Sequence, residues 1–250
     1  MPVNDLIFVS CIGNLAVAQQ RLLASPCLQA GGRPLVMHVN AASAAAAVNA
    51  VLDSRPSQRW LVWLHEDVFL PAGWDLQFAR RLEEAAVRWP HLAVAGVYGI
   101  QGAGAQAVRA GHVLDRGTLL NEPTRLPCEV DSLDELLFAV RTDVPLRLDP
   151  ALRFDFYATD LVLQAQAAGL GAAVVDAYCE HWSGTPVDAT VPASLARRIA
   201  ASGALFEAKW QHRLPVSTPC FDIRRPGDVQ ACADALARAS NSPDELHDPN

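Results

Sequence analysis

The most informative stretch of the chain is an apolar run that ends in a histidine and two carboxylates. Residues 60–64 read Trp-Leu-Val-Trp-Leu, and His65, Glu66 and Asp67 follow directly. A short continuous apolar run predicts a buried strand, and ligands of open α/β sheets bind just beyond the carboxyl ends of the strands. Imidazole nitrogens and carboxylate oxygens are ligands for divalent cations. The sequence therefore predicts a metal site at this strand end.

Asp67 is the first candidate for a ligand of Mn²⁺ or Mg²⁺. A divalent ion at a strand end can neutralise the charge of a nucleotide's phosphates. Neighbouring residues of an extended strand point to opposite faces, so we expect only one of Glu66 and Asp67 to reach the ion directly. The alternative is a solvated strand end that binds nothing.

Strand and helix patterns alternate along the chain. Apolar runs predict strands at residues 5–11, 34–39, 60–65, 92–98, 135–140 and 172–178. Apolar residues at helical spacing predict helices at residues 15–28, 41–52, 74–89, 158–168, 192–201, 204–212 and 228–239. This alternation predicts an α/β three-layer sandwich with a mostly parallel central sheet. The Gly-rich stretch 99–129 is expected to be an irregular, functional loop.

Composition narrows the classes of partner and compartment. The 250 residues carry a formal net charge of −7 without a basic run, so nucleic acid is not an expected partner. No apolar run approaches the ~20 residues of a membrane span, and we expect no transmembrane segment and a cytoplasmic location. The six cysteines include no CxxC pair, which favours reduced thiols over a zinc knuckle.

Several segments resemble one known family. The chain is similar to family-2-like glycosyltransferases with the nucleotide-diphosphosugar transferase (GT-A type) fold. The segments that carry this resemblance are residues 43–50, 63–68, 130–140, 154–161 and 179–183. They span roughly residues 5–185. The family's common acidic motif has two aspartates around one residue, whereas this chain has His65, Glu66 and Asp67.

The resemblance implies a reaction and roles for further residues. It implies transfer of a sugar from a nucleotide-diphosphate donor to an acceptor hydroxyl, with inversion and with a divalent metal. It places a general base at Asp160, with Asp155 as the nearby competitor, and a second metal or diphosphate contact at His181. A first-turn aspartate that only favours the helix dipole is the alternative for Asp160. A structural histidine is the alternative for His181.

Other polar residues are candidates for substrate contacts. The donor nucleotide is assigned to residues at or near the predicted strand exits: Ser10, Asn40, Asn49, His65 and Glu66. Capping and turn formation are the alternative for the serine and the asparagines. Asp131 and Asp134 are assigned to the acceptor, with a solvated strand entrance as the alternative.

One glycosyltransferase-like domain is predicted for residues 1–240, with a core at about 5–185, a helical extension at 186–240 and a flexible tail at 241–250. Three other functions stay open: a sugar nucleotidyltransferase, a non-catalytic nucleotide- or partner-binding module, and an α/β hydrolase-like enzyme using Asp67 and His181. The first would favour a basic loop after the first strand, and residues 10–14 carry no charge. The third lacks a recognisable nucleophile.

Overall fold

The computed structural model describes residues 5–182 and 192–239. The strands in these ranges are β1 (Leu6–Ile12), β2 (Leu35–Val39), β3 (Trp60–Leu64), β4 (Val68–Phe69), β5 (Leu92–Gly96), β6 (Tyr98–Gln101), β7 (Val108–Asp115), β8 (Thr118–Asn121), β9 (Cys128–Glu129), β10 (Ser132–Leu133), β11 (Leu137–Arg141), β12 (Gly171–Val174), β13 (Cys179–His181), β14 (Val216–Ser217) and β15 (Asp222–Ile223). The α-helices are α1 (Leu15–Gln20), α2 (Ala44–Asp53), α3 (Trp74–Arg88), α4 (Tyr157–Ala167), α5 (Ala193–Trp210) and α6 (Asp228–Ala239).

Seven strands form a central sheet in the order β2-β1-β3-β11-β5-β12-β9. The pairs β1–β2, β1–β3 and β5–β12 are parallel, while β11 and β9 run antiparallel to their neighbours. The predicted α/β class with a mostly parallel sheet is therefore confirmed. The long apolar runs of β1, β3 and β5 suit strands that are covered on both faces.

Two hydrophobic cores lie on opposite faces of the central sheet, and β3 contributes to both. Trp60, Val62 and Leu64 pack in the core that contains α3, while Leu61 and Trp63 pack in the core that contains α2 and α4. Successive side chains of a strand alternate between faces. This alternation gives the three layers, and it fixes the direction in which residues beyond Leu64 leave the strand.

A second sheet occupies much of the region predicted to be an irregular loop, and that prediction is wrong. Its strands run in the order β10-β6-β7-β13-β4, and β8 pairs with β7. A two-residue turn, Arg116–Gly117, joins β7 to β8, with φ values of +48° and +82°. Such a turn matches the twist of a β-hairpin. A close approach of strands occurs at Gly111, where φ is +138° and a Cβ would lie 2.5 Å from the Val97 carbonyl oxygen.

Two predicted helix boundaries also differ from the structure. The helix predicted at residues 15–28 ends at Gln20, and short 3₁₀ turns follow, the second of which begins at Pro26. The helices predicted at 192–201 and 204–212 form the single helix α5. Gly203 lies inside this helix at the point where α6 packs against it. A Cβ at this position would lie 2.2 Å from a Val229 methyl group, so the close packing requires a glycine.

The C-terminal elements pack onto the rest of the chain through a third core, which joins Leu152 and Phe156 to Phe206 and Val229. The division into a core and a helical extension stays a prediction, and the predicted tail at 241–250 lies outside the described residues. Among the helices of the described ranges, none has the length and apolarity needed to cross a membrane.

Replacing Gly111 by alanine tests the second sheet. We expect Gly111→Ala to lower the free energy of unfolding by about 2–4 kcal/mol, because the left-handed backbone and the contact with the β6 backbone both disfavour a Cβ. The measurement is urea unfolding. The matched control is Gly117→Asn, since Gly117 has nothing within 4 Å of its Cβ position and asparagine tolerates positive φ. Equal stability of Gly111→Ala and the wild type would contradict this account.

Candidate functional site

Strand pairing brings together three side chains that are far apart in the sequence. His65 and Asp67 follow β3, and His181 ends β13. In the second sheet His181 pairs with Val68, and the Trp182 N–H donates to the Asp67 carbonyl at 3.0 Å. As a result, potential metal-binding atoms of His65, Asp67 and His181 all lie within 4.8 Å of one another. We call these three residues the His-Asp-His cluster.

A tyrosine orients His65. The Trp63 Nε1–H donates to the Tyr157 hydroxyl at 3.1 Å, and this hydroxyl lies 3.2 Å from the Glu135 carbonyl oxygen and 2.8 Å from His65 Nε2. All groups are satisfied when Tyr157 donates to the carbonyl and accepts from His65 Nε2–H. That tautomer leaves the lone pair on His65 Nδ1. Burial, and then the charge of His181, lower the pKa of His65 to about 4, so the ring is neutral at neutral pH.

A carboxylate orients His181. His181 and Asp115 are paired residues of β13 and β7, and His181 Nδ1 donates to Asp115 Oδ1 at 2.8 Å. Burial would lower the pKa of His181, but the hydrogen bond to Asp115 and the interaction with Asp67 outweigh it and raise the pKa to about 10. Nε2 lies 3.3 Å from Asp67 Oδ1. A carboxylate on the far nitrogen of a histidine is the usual support of a histidine metal ligand.

Asp67 supplies the observation that most directly indicates a cation. Its Oδ1 atom is buried and has no hydrogen-bond partner in the structure. The 3.3 Å contact with His181 Nε2 is an ion pair without hydrogen-bond alignment. Burial would raise the pKa of Asp67, but the interactions with His181 outweigh burial and lower it. Leaving a buried carboxylate oxygen unbonded is costly, and a metal ion would satisfy it.

The donor atoms fit a transition metal ion. Two imidazoles and one carboxylate suit ions such as Mn²⁺ or Zn²⁺, whereas Mg²⁺ prefers oxygen ligands alone. The side chains of His181 and Asp67 are 15% and 17% exposed, so the cluster is sheltered yet reachable from solvent. Of the two predicted cofactors, this set favours Mn²⁺.

Glu66 points away from the cluster, in keeping with the alternation along the strand. Its carboxylate accepts the N–H groups of Gly13 at 2.7 Å and of Asn14 at 2.9 Å. Asn14 in turn caps α1 with its side chain. Glu66 therefore ties the β1–α1 loop to the end of β3. Its predicted contact with the donor stays a prediction.

The other predicted donor residues do not contact the cluster in the described part of the chain. Ser10 is buried within β1, and its hydroxyl lies 3.5 Å from the Cys11 carbonyl oxygen. Asn40 is exposed after β2, with φ at +53°. Asn49 donates to the Leu148 carbonyl and accepts the Leu148 N–H, both at 2.9 Å, which is a structural clamp. Nucleotide binding by these residues stays a prediction.

The two predicted acceptor residues lie in different places. Asp131 accepts the Gly102 N–H at 2.7 Å and a Gln166 amide N–H at 2.9 Å, so it holds loops together. Asp134 accepts the Leu136 N–H, and burial raises its pKa. The charge of His181 acts on Asp134, which places this residue near the cluster.

Asp160, the predicted general base, is buried and fully engaged. Its Oδ1 lies 2.8 Å from both Trp210 Nε1 and Lys209 Nζ, and its Oδ2 accepts from the Gln164 amide at 2.6 Å. Its catalytic role stays a prediction, but in this conformation no acceptor hydroxyl can reach the carboxylate. A base must lie within hydrogen-bond reach of the proton that it removes.

Asp155, the competitor of Asp160, forms an ion pair with Arg198. Arg198 donates to both of its oxygens, at 2.9 and 3.0 Å. The charge of Arg198 contributes to lowering the pKa of His65, which places the ion pair within electrostatic reach of the cluster. The Arg198 side chain is 42% exposed, so a substrate can compete for it.

Sequence reasoning missed the two residues that orient the histidines. Asp115 lies in the stretch that was predicted to be irregular. The alternation around Asp-Arg-Gly-Thr at 115–118 was the signal for a hairpin that would have placed it at a strand end. Tyr157 lies inside a segment that carried the family resemblance, but nothing in its spacing links it to His65.

Comparisons with known proteins give likenesses of limited extent. No protein-family model matches the chain. A curated protein of Fuscovulum blasticum, "ATP synthase subunits region ORF 6", is 32% identical over 133 residues, which make up 50% of this chain and 51% of that protein. The chain thus spans about half the length of the curated relative that it matches.

Three solved structures are similar to the chain. GalNAc-T7, described with UDP, GalNAc and Mn²⁺, has a TM-score of 0.47 and 11% identity, covering 94% of this chain and 55% of that one. TarS 1-349 of S. aureus has a TM-score of 0.42 and 11% identity, covering 94% and 70%. CMP:2-keto-3-deoxy-manno-octonic acid synthetase with CTP has a TM-score of 0.36 and 14% identity, covering 84% and 100%. At these identities and TM-scores the likenesses assign no activity to this chain.

Removing the groups that orient the histidines should weaken metal binding. We expect Tyr157→Phe and Asp115→Asn each to lower Mn²⁺ affinity by about 10–100-fold, because outer partners fix ligand tautomer and basicity. The measurement is Mn²⁺ titration followed by electron paramagnetic resonance of the free ion. Tyr178→Phe is the matched control, since Tyr178 contacts the His112 ring rather than the cluster. Unchanged affinity in both test variants would show that these residues do not support metal ligands.

Proposed function

We propose that this protein is a metal-dependent glycosyltransferase that moves a sugar from a nucleoside-diphosphate donor to an acceptor hydroxyl. The observation that carries the proposal is the His-Asp-His cluster at the carboxyl end of β3, with the unbonded, buried oxygen of Asp67. The cluster lies where α/β sheets bind ligands. The resemblance of the motifs to family-2-like glycosyltransferases supplies the reaction class.

Three atoms of the chain would hold the metal: Nδ1 of His65, Oδ1 of Asp67 and Nε2 of His181. When bound, a divalent ion would supply positive charge to the diphosphate as it leaves the sugar. His181 must give up its Nε2 proton to bind, and its Nδ1–H bond to Asp115 keeps the ring in position. Three protein ligands leave further coordination positions for phosphate oxygens.

Two arginines add positive charge beside the cluster. The Arg21 guanidinium lies 4.3 Å over the indole of Trp182, whose backbone N–H binds the Asp67 carbonyl. The Arg198 guanidinium is paired with Asp155, which lies just before α4. An anionic donor is favoured where several cationic groups face one cleft. Glu66 fixes the loop between β1 and α1 and so shapes the same edge.

The acceptor hydroxyl requires a base, and Asp155 suits this role better than Asp160. Both carboxylates are hydrogen-bonded, but Asp160 is held by the buried Trp210 ring, whereas Asp155 is held by a partly exposed arginine. Binding of the donor phosphates by Arg198 would free Asp155. Direct attack of the activated hydroxyl on the anomeric carbon, with departure of the diphosphate from the opposite side, would invert the configuration.

Nucleotide binding is the first test of this function. We expect one of UDP, GDP and dTDP to bind in the presence of Mn²⁺ and not in its absence, as measured by isothermal titration calorimetry. Asp67→Ala should abolish this binding, because it removes the carboxylate that would hold the metal. Asp53→Ala, which removes an exposed carboxylate at the end of α2, is the matched control. Binding that ignores both the metal and Asp67 would favour a non-catalytic nucleotide-binding module.

Comparing the two aspartates tests the assignment of the base. The assay is release of nucleoside diphosphate from UDP-, GDP- and dTDP-glucose with water as the acceptor. We expect Asp155→Asn to lower kcat by about 10²–10⁴-fold with little change in donor affinity, which is typical of a lost general base. We expect Asp160→Asn to lower thermal stability and to affect kcat less. The opposite ranking would restore Asp160 as the base.

A further inference from the structure

A cavity lies between the β6–β7 hairpin and the β14–β15 segment. Its volume is about 320 Å³. Residues on its wall include Ile100, Arg109, Ser217, Thr218, Cys220, Phe221 and Asp222, of which Asp222 is paired with Arg224. The first two belong to the second sheet, and the others belong to the C-terminal part of the chain. None of them belongs to the His-Asp-His cluster.

Specific hydrogen bonds hold the two walls of this cavity together. The Gly104 N–H donates to the Ser217 hydroxyl at 2.9 Å, and Arg109 donates to the Pro219 carbonyl at 3.1 Å. Within the C-terminal wall, the Thr218 N–H donates to the Phe221 carbonyl at 2.7 Å. The C-terminal segment is therefore fixed against the hairpin, and the cavity is a defined feature of the fold.

Arg109 gives the cavity a cation that forms no direct ion pair with the described residues. Its hydrogen bonds in the described residues go to the Tyr98 hydroxyl at 3.5 Å and to the Pro219 carbonyl, and no described carboxylate lies within 4 Å of it. Glu122 accepts from the Tyr98 hydroxyl, and its charge also acts on Arg109 without a direct ion pair. Three of the five guanidinium N–H donors make no hydrogen bond to the described residues. Their planar fork matches a carboxylate or a phosphate.

The cavity and the cluster are connected along the second sheet. Strand β7 runs from Arg109 near the cavity to Asp115, which binds His181. Six residues of strand span about 20 Å. Cys220 lines the cavity and is exposed.

We propose that this cavity binds a distal part of an extended acceptor, and that Arg109 binds a carboxylate or phosphate group of that acceptor. The inference rests on the proposed function, since the cluster marks where the acceptor hydroxyl must react. The Phe221 ring supplies an apolar wall, and the Thr218 hydroxyl, which accepts the Cys220 and Phe221 N–H groups, has a proton to donate. An anionic, polyhydroxylated molecule fits this combination.

Protection of Cys220 from alkylation tests the inference. Cys220 and Cys232 are both exposed, but only Cys220 is among the lining residues. The full-length protein is treated with N-ethylmaleimide, and labelling of each cysteine is followed by peptide mass spectrometry. The probes are glucose 6-phosphate, glucuronate and glucose. We expect the two anionic sugars to slow labelling of Cys220 saturably, with glucose far less effective and with Cys232 unaffected.

Two arginine variants make the test specific. Arg109→Gln should remove the protection by both anionic sugars, whereas Arg238→Gln, at an exposed position of α6, should keep it. Protection of the wild type by only one of the two anionic sugars would identify the bound group as phosphate or carboxylate. Equal protection by glucose, protection that survives Arg109→Gln, or no protection by any probe would overturn the inference.

The outcome is separable from that of the proposed function. Metal-dependent nucleotide binding by calorimetry does not involve Arg109, and we expect Arg109→Gln to retain it. Wild-type protein that binds a nucleotide with Mn²⁺ but shows no protected Cys220 would reject the acceptor cavity and leave the transferase proposal standing. Protection without any nucleotide binding would reject the transferase proposal and the acceptor role with it.

Discussion

A buried carboxylate oxygen without a hydrogen bond is the constraint on which the site depends. Asp67 Oδ1 is held opposite His181 by the pairing of β13 with β4, and no polar group of the described residues satisfies it through an aligned hydrogen bond. In the absence of metal the protonated His181 balances its charge. Asp115 holds the His181 ring, and Tyr157 holds the His65 ring. These contacts are of the kind that supports histidine metal ligands, which is why we propose a cation site here.

The orientation of this site follows from the packing of β3. Because Trp60, Val62 and Leu64 enter one core and Leu61 and Trp63 the other, the side chains that follow are directed by the same alternation. His65 turns towards α4 and meets Tyr157, while Glu66 turns the other way and binds the loop that precedes α1. The apolar cores thus determine which polar groups join the His-Asp-His cluster and which one organises the neighbouring loop.

The sequence predicts the central sheet well because its strands are continuous apolar runs separated by periodic helices. It also predicts the strand end at His65–Asp67, since an abrupt change from apolar to acidic residues is a local signal. The second sheet is missed because β4, β10 and β13 have only two or three residues and because a glycine interrupts the apolar pattern of both β6 and β7. The contact of Asp115 with His181 is missed as well. The burial of Asp160 could not be predicted, because it depends on Trp210 and Lys209, fifty and forty-nine residues further along the chain. Long-range contacts of this kind leave no periodic trace in the sequence.

The most direct test of the central claim is a crystal structure of the protein soaked in MnCl₂, with data collected for the anomalous signal of manganese. The account predicts a peak about 2.0–2.3 Å from Nδ1 of His65, Nε2 of His181 and a carboxylate oxygen of Asp67. Absence of a peak there, with His181 still bridging Asp67 and Asp115, would contradict the account. It would show that these residues form an internal ion pair instead of a metal centre.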